Sequence, residues 1–289
     1  MPFLLISVLC SVLVSVWLKL AQRRGIPMPP VILWNYVTAL AMCLLWLHPP
    51  LQQLRDPHTP RWTLTLLAAL LPTIFLAMAA SVRIAGIART DVAQRLSLVV
   101  SLGAAFLWFG ERADGLKLAG LAIGLLAILC IVSRPRSAQP APDRRAAWLL
   151  PLVVLLGYAG VDILLKRIAI DGTPFAASLT VAFLGALAIM TIIEVHRALR
   201  THASFDPRAL LAGVLVGASN FANIFFYVRA HRALPDHPAV VFASMNLGVV
   251  VIGTLVGVWA FKERPSRLNH AGIALAVIAM VTIALSLRG

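Results

Sequence analysis

Asp162 and Lys166 stand four residues apart inside a long apolar run. That spacing puts both side chains on one face of a helix, with the acid on the N-terminal side, the favourable order for a helical ion pair. In a low-dielectric setting such a pair stays charged only if each member neutralises the other, and the carboxyl group is also one that can take up and release a proton. Tyr158 lies one turn earlier on the same face, and an offset of 147 residues upstream finds Ser11, Ser15 and Lys19 in the matching places, with Ser7 before them. A lysine ending such a stripe can serve a ligand, or it can anchor the helix by reaching for the headgroup region. Lys19 and Lys166 both admit either reading.

A second set lies on one helical face at Asp91, Gln94, Ser97 and Ser101, with Arg95 four residues after Asp91. It reads as a polar cavity wall with an Asp–Arg pair near its mouth, or as a salt bridge at the start of a helix followed by small residues for close packing. Asn220, Asn223 and Tyr227 share another face, and Asn246 and the Asn35-Tyr36 pair sit in further apolar runs. An amide in hydrocarbon must be hydrogen-bonded. Because asparagine offers both donor and acceptor, these residues could tie helices together or orient a neutral or zwitterionic solute. Asp162 and Asp91 are the candidates for carrying a coupled proton.

Other chemistries fail on the residues available. There is no glycine-rich phosphate loop, and no Ser/His/Asp set or carboxylate pair converges within the apolar runs, so neither an enzyme nor a bound cofactor is expected. The histidines at 48, 58, 196, 202, 231, 237 and 270 fall in or beside connectors, without metal-ligand spacing inside a run. Cys10, Cys43 and Cys130 sit in apolar runs and read as packing residues. The 25 Lys and Arg against 11 Asp and Glu give a net charge of +14. The basic residues lie almost entirely in short connectors, where membrane anchoring accounts for them, and no basic helix with interleaved aromatics suggests nucleic acid.

The elements that must position these groups follow from hydropathy. Of the 289 residues, 60% are apolar or aromatic and only 12% charged, the composition of a membrane protein. A spanning helix needs about 20 mostly apolar residues. The chain supplies ten such runs: Phe3–Leu20, Val31–Leu47, Thr63–Val82, Val92–Phe109, Leu116–Val132, Ala146–Leu165, Pro174–Ile193, Leu210–Val228, Ala239–Phe261 and Ala271–Leu287. The first lacks a basic segment before it and an Ala-x-Ala site after it, so it reads as a helix and not as a secretory signal. Pro72, Gly103 and the pair Gly157 and Gly160 read as helix-breaking or close-packing points. The stretch SRPRSAQPAPDRR, Ser133 to Arg145, is the most linker-like and divides the helices five and five.

The halves repeat. Phe109-Gly110-Glu111-Arg112 and Phe261-Lys262-Glu263-Arg264 end the fourth and ninth runs, and Ala119-Gly120-Leu121-Ala122 and Ala271-Gly272-Ile273-Ala274 follow at the same offset of 152. An odd number of spans per unit inverts the second unit in the bilayer, so the expected fold is all-α, with ten transmembrane helices as two inverted five-helix repeats: 1–133, a linker at 134–145, and 146–289. Glu111 and Glu263 read as structural, each capping the next helix beside an arginine.

At these Glu-Arg pairs and final helices the sequence resembles the drug/metabolite transporter superfamily, in its ten-helix members built from two EamA-type units. It departs from their pattern where Ser97-Leu98-Val99 replaces a proline usual in the fourth helix, and where Lys262-Glu263 replaces Gly-Glu. The resemblance implies secondary transport of a small metabolite by alternating access through a central cavity, export being the usual direction, in a bacterial-type inner membrane. Relatives that flip lipid-linked headgroups supply an alternative, and a non-transporting membrane scaffold is another. The expected partners are a small solute and membrane lipids, with the chain a monomer or homodimer. Relatives generally keep both termini in the cytoplasm. Here the connectors after odd-numbered runs hold 14 Lys and Arg against 9 on the other side, which by the positive-inside rule favours both termini outside.

Overall fold

The apolar runs, separated by Pro, Gly and charge, fold as ten helices: α1 (Pro2–Arg23), α2 (Met28–Leu47), α3 (Arg61–Ala85), α4 (Ile87–Leu107), α5 (Gly115–Val132), α6 (Ala146–Ile170), α7 (Phe175–Thr201), α8 (Pro207–Ala233), α9 (Pro238–Phe261) and α10 (Arg267–Ser286). The computed structural model describes residues 2–50, 52, 61–85, 87–112, 114–132, 145–170, 174–201, 206–261 and 267–286, and among these no strand occurs. Of the linker expected at 134–145 only Arg145 is described, and Glu263 lies outside the described residues.

Local chemistry sets the helix ends. Asp206 caps α8 by accepting the Arg208 N–H at 2.8 Å, and Pro207 takes the first helical position, where an N–H would have no partner anyway. Asp114 accepts the Lys117 N–H at 2.7 Å and starts α5. The turn before it needs Gly110, whose φ of 65° is open to glycine and strained for a side chain with a Cβ. Pro72 lies inside α3 and Gly157 and Gly160 inside α6 without ending either helix.

Among the described residues, seven helices are long and apolar enough to cross a bilayer: α1, α2, α3, α6, α7, α8 and α9. In α4, α5 and α10 the apolar stretch is shorter, Val92–Leu107, Gly115–Cys130 and His270–Ser286. Trp46, Trp62, Trp108, Trp148 and Trp259 are each more than 70% exposed and sit at or just beyond helix ends. That is the interfacial position tryptophan favours in membrane proteins.

The packing is between the halves more than within them. α1 packs on α8 and α3 on α6; α2 packs on α8 and α3 on α7; α4 packs on α6 and α1 on α9; α2, α4 and α5 meet α7, α9 and α10. Each of these contacts maps onto another, or onto itself, when five is added to or subtracted from the helix numbers. The largest buried cluster joins side chains of both halves, Tyr36, Leu67 and Leu98 with Phe183, Phe242 and Leu247. Some pairings depend on glycine. A Cβ on Gly213 of α8 would collide with Trp34 and lie 2.8 Å from the Val31 carbonyl of α2, and one on Gly217 would lie 2.5 Å from the Asn35 carbonyl.

Candidate functional site

A cavity of about 170 Å³ lies among six helices, α1, α3 and α4 from the first half and α6, α8 and α9 from the second. One part of its wall is apolar, with Leu71, Ile74, Phe75 and Met78 of α3 facing Ile224, Met245 and Val249. The polar part gathers Ser11 and Ser15 of α1, Gln94, Arg95 and Ser97 of α4, Tyr158 and Asp162 of α6, Asn220, Asn223 and Tyr227 of α8, and Asn246 of α9. These are residues singled out in sequence on separate helical faces, and the bundle brings them to one space.

Their hydrogen bonds show what is left for a solute. Asn220 donates its amide N–H to Asn35 Oδ1 at 3.0 Å and Asn246 donates to the Phe242 carbonyl at 3.0 Å, so each keeps its own carbonyl oxygen as an acceptor. Asn223 accepts the Ser7 hydroxyl at 2.9 Å through Oδ1, which leaves its NH₂ as a donor. Tyr158 points its hydroxyl at Met78 Sδ, 3.2 Å away. The wall therefore offers donors and acceptors close together over an apolar surface.

Asp162 is held from two helices. The Ser101 hydroxyl of α4 donates to one carboxylate oxygen at 3.0 Å, and the Tyr227 hydroxyl of α8 donates to the other at 3.0 Å. Both donors are neutral, so they fix the carboxylate without cancelling its charge. The ion pair expected between Asp162 and Lys166 is not formed. Lys166 is buried one turn further along α6, donates to the Pro235 carbonyl in the α8–α9 connection and lies 5.8 Å from the centre of the Phe109 ring. The helical spacing was right for a pair, but Asp162 is held by hydroxyls on two other helices and Lys166 by a carbonyl in the α8–α9 connection.

Lys166 belongs to a closed end of the bundle, two turns beyond the Asp162 level on α4 and one turn beyond it on α6 and α8. Glu111, in the turn after α4, has a side chain shut off from solvent. One of its oxygens accepts the backbone N–H of Ala239 at the start of α9, at 2.5 Å, and the other lies 3.0 Å from the Lys117 ammonium. Lys117 also donates to the Arg112 carbonyl at 2.9 Å, and His237 approaches the same Glu111 oxygen at 3.9 Å. Glu111 is structural, as its place at a helix end implies. The helix it caps is α9, in the other half of the chain, while Asp114 caps the next helix, α5.

Three expected site residues lie away from the cavity wall. Lys19 is half-buried on α1 and does not line it; Lys166 is in the closed end; Tyr36 is fully buried against Phe183, ring centroids 6.3 Å apart. Asp91 falls in α4, with its side chain outside those described. The sequence reading missed Lys117 and His231. His231, placed in a connector by hydropathy, is fully buried in the last turn of α8 between the rings of Tyr227 and Phe242, at 4.8 and 5.0 Å, and neither ring nitrogen has a hydrogen-bond partner. Cys10, Cys43 and Cys130 are free, and among the described residues no three His, Cys, Asp or Glu side chains gather as a metal site.

Comparison with known proteins adds three likenesses. The model of the EamA-like transporter family matches residues 1–133. An uncharacterized protein of Haemophilus influenzae is 35% identical over 285 residues, covering 96% of this chain and 95% of its own length. A solved crystal structure of a protein superposes with a TM-score of 0.68 at 19% identity, over 98% of this chain and 97% of the other, a likeness of fold.

Proposed function

Because the chain belongs to the EamA-like transporter family, it is a multi-pass membrane transporter of the drug/metabolite type, and we propose that it moves a small polar or amphipathic organic metabolite across a bacterial inner membrane by alternating access. The observation that carries the reading is the cavity. It sits between the halves, is lined by apolar side chains on one part and by Gln94, Arg95, Ser97, Asn220, Asn223 and Asn246 on the other, and has Asp162 in its wall. A carboxylate, a guanidinium and several amides lining one cavity suit a solute carrying both charges or a neutral one rich in hydrogen-bonding groups. Tyr158 and Tyr227 add rings against which an apolar portion can lie. Export is the direction we assign.

Asp162 is the proposed coupling group. Neutral hydroxyls hold it, so a change in its charge is not offset by a fixed partner, and a proton arriving there alters its hold on Ser101 and Tyr227 and hence the contact of α6 with α4 and α8. We read the ten helices as two inverted units, supported by the recurrence of helix pairings on a step of five. The charge count favours both termini outside. Phe3 lies 5.1 Å from the Arg229 guanidinium near the C-terminus of α8, so the N-terminus is at the closed end. With the termini outside, the cavity is shut toward the exterior.

The test has two stages. Thermal stabilisation of the purified protein by amino acids, nucleosides, sugar phosphates and cationic dyes identifies the solute class, since a ligand preferring the folded state raises its stability. Flux of the stabilising compound into proteoliposomes should then depend on a pH gradient in the wild type and lose that dependence in Asp162→Asn. Flux that keeps its full pH dependence in Asp162→Asn would end the coupling proposal, and absence of flux for every stabilising compound would end the transport reading.

A further inference from the structure

The closing turns of α8 carry Arg229 and Arg232, three residues apart and both exposed. Arg229 lies 5.1 Å from the centre of the Phe3 ring and 5.5 Å from that of Phe225, and Arg232 lies 5.3 Å from that of Phe175. Arg229 has no carboxylate partner among the described residues, and the two guanidinium groups are near enough to act on each other electrostatically. Two like charges held side by side on aromatic rings at a helix end, one of them without an acid, form an arrangement that an anion between them would stabilise.

The surface beside them is aromatic. Half-buried Phe225 meets half-buried Phe226 edge-on at 5.1 Å, and both Phe225, at 5.9 Å, and the exposed Trp46, at 6.3 Å, lie against the buried ring of Phe221. Rings below and forked cations above match an amphipathic anion whose charged part is a phosphate and whose remainder is hydrocarbon. A guanidinium binds phosphate through two parallel N–H groups, and one already stacked on rings loses little freedom in doing so. Exposed tryptophan marks the interfacial depth at which phospholipid phosphates lie.

We infer that Arg229 and Arg232 form a phosphate clamp for an anionic phospholipid, with the acyl chains lying along the partly exposed rings of Phe225, Phe226 and Trp46. The inference rests on residence in a membrane and is independent of what the cavity carries. The clamp is one turn from the α8–α9 connection that Lys166 and Glu111 fasten, so its occupancy stabilises the closed end.

The test titrates detergent-purified protein with phosphatidylglycerol or phosphatidylcholine of identical chains and follows thermal unfolding. Phosphatidylglycerol should stabilise the wild type at about tenfold lower concentration than phosphatidylcholine, the factor expected for one charge-assisted contact. Arg229→Gln should remove that preference, Arg229→Lys should restore part of it, and Arg208→Gln, the same loss of charge at the opposite end of α8, should keep it. Equal stabilisation by both lipids, or an equal loss in Arg208→Gln and Arg229→Gln, would overturn the clamp, as would equal stabilisation by inorganic phosphate. If Arg229→Gln does not fold, native mass spectrometry of the wild type decides: one phosphatidylglycerol retained in preference to phosphatidylcholine supports the clamp, and no preference refutes it.

Discussion

Replacing Glu111 by glutamine keeps the size of the side chain and one oxygen that can still accept the Ala239 N–H, but removes the charge facing Lys117 at 3.0 Å. Lys117 has a side chain only 3% exposed and cannot turn to water without unpacking the closed end. It keeps the Arg112 carbonyl as an acceptor and the half-exposed Asp114 carboxylate at 3.9 Å, which together offset only a small part of the charge that Glu111 balances. Breaking a buried pair by neutralising one member costs about 3–5 kcal/mol, because the other is left uncompensated. Lys117→Met should cost less, about 1–3 kcal/mol, since the carboxylate it strands still lies at the positive N-terminus of α9. The double variant removes both charges, so its loss should be smaller than the sum of the two single losses by a coupling of about 2–3 kcal/mol. Unfolding of the purified protein in detergent reads all three, and Glu111→Gln should lower Tm by roughly 10 °C. Glu111→Gln within about 1 kcal/mol of wild type, or strictly additive losses in the double variant, would refute the idea that this pair fastens the two halves.

Gly213→Ala should destabilise by about 1–3 kcal/mol, because its methyl group meets Trp34 and the Val31 carbonyl, whereas Gly103→Ala, with open space around the new carbon, should be neutral or slightly stabilising in the same unfolding assay. Asp162→Asn and Lys166→Met should show additive effects on stability to within about 0.5 kcal/mol, since the two side chains share no partner; rescue of one by the other would restore the ion pair that the structure lacks. His231→Phe should leave stability unchanged or raise it by about 1–2 kcal/mol, because the ring packing survives and two buried nitrogens without partners disappear. A loss above 1 kcal/mol would show that the imidazole is bonded in the membrane.

What the sequence could and could not reveal follows from which forces act along the chain and which act across it. Hydropathy located the ten helices found among the described residues, seven of them in apolar stretches long enough to cross a bilayer. It set their ends too early where polar residues extend a helix by local pairing. The seventh run was closed at Ile193, yet α7 continues to Thr201 through the Glu194–Arg197 pair, and the eighth was closed at Val228, which left His231 in a connector and hid its burial. Helical periodicity correctly grouped Asn220, Asn223 and Tyr227, and Gln94 with Ser97. It could not say that a hydroxyl from α4 and another from α8 would hold Asp162 in place of Lys166, because partners 61 and 65 residues away leave no periodic trace. Tyr36 shows the converse: its polar neighbours in sequence suggested a cavity, while its ring is buried against α7.

The closed end is fastened largely through main-chain atoms: Glu111 on the Ala239 N–H, Lys117 on the Arg112 carbonyl, Lys166 on the Pro235 carbonyl. Any amino acid supplies a carbonyl, and any but proline supplies an N–H. Natural selection can therefore see this lock at one side of each bond only. Among descendants of a common ancestor, the acid at 111 and the lysines at 117 and 166 should persist while residues 112 and 235 drift freely. Position 239 should accept any small residue except proline, whose missing N–H would leave the carboxylate without its helix end. Pairwise covariation of 111, 117 and 166 with 112, 235 and 239, the usual trace of a contact in a family of sequences, should for the same reason be absent.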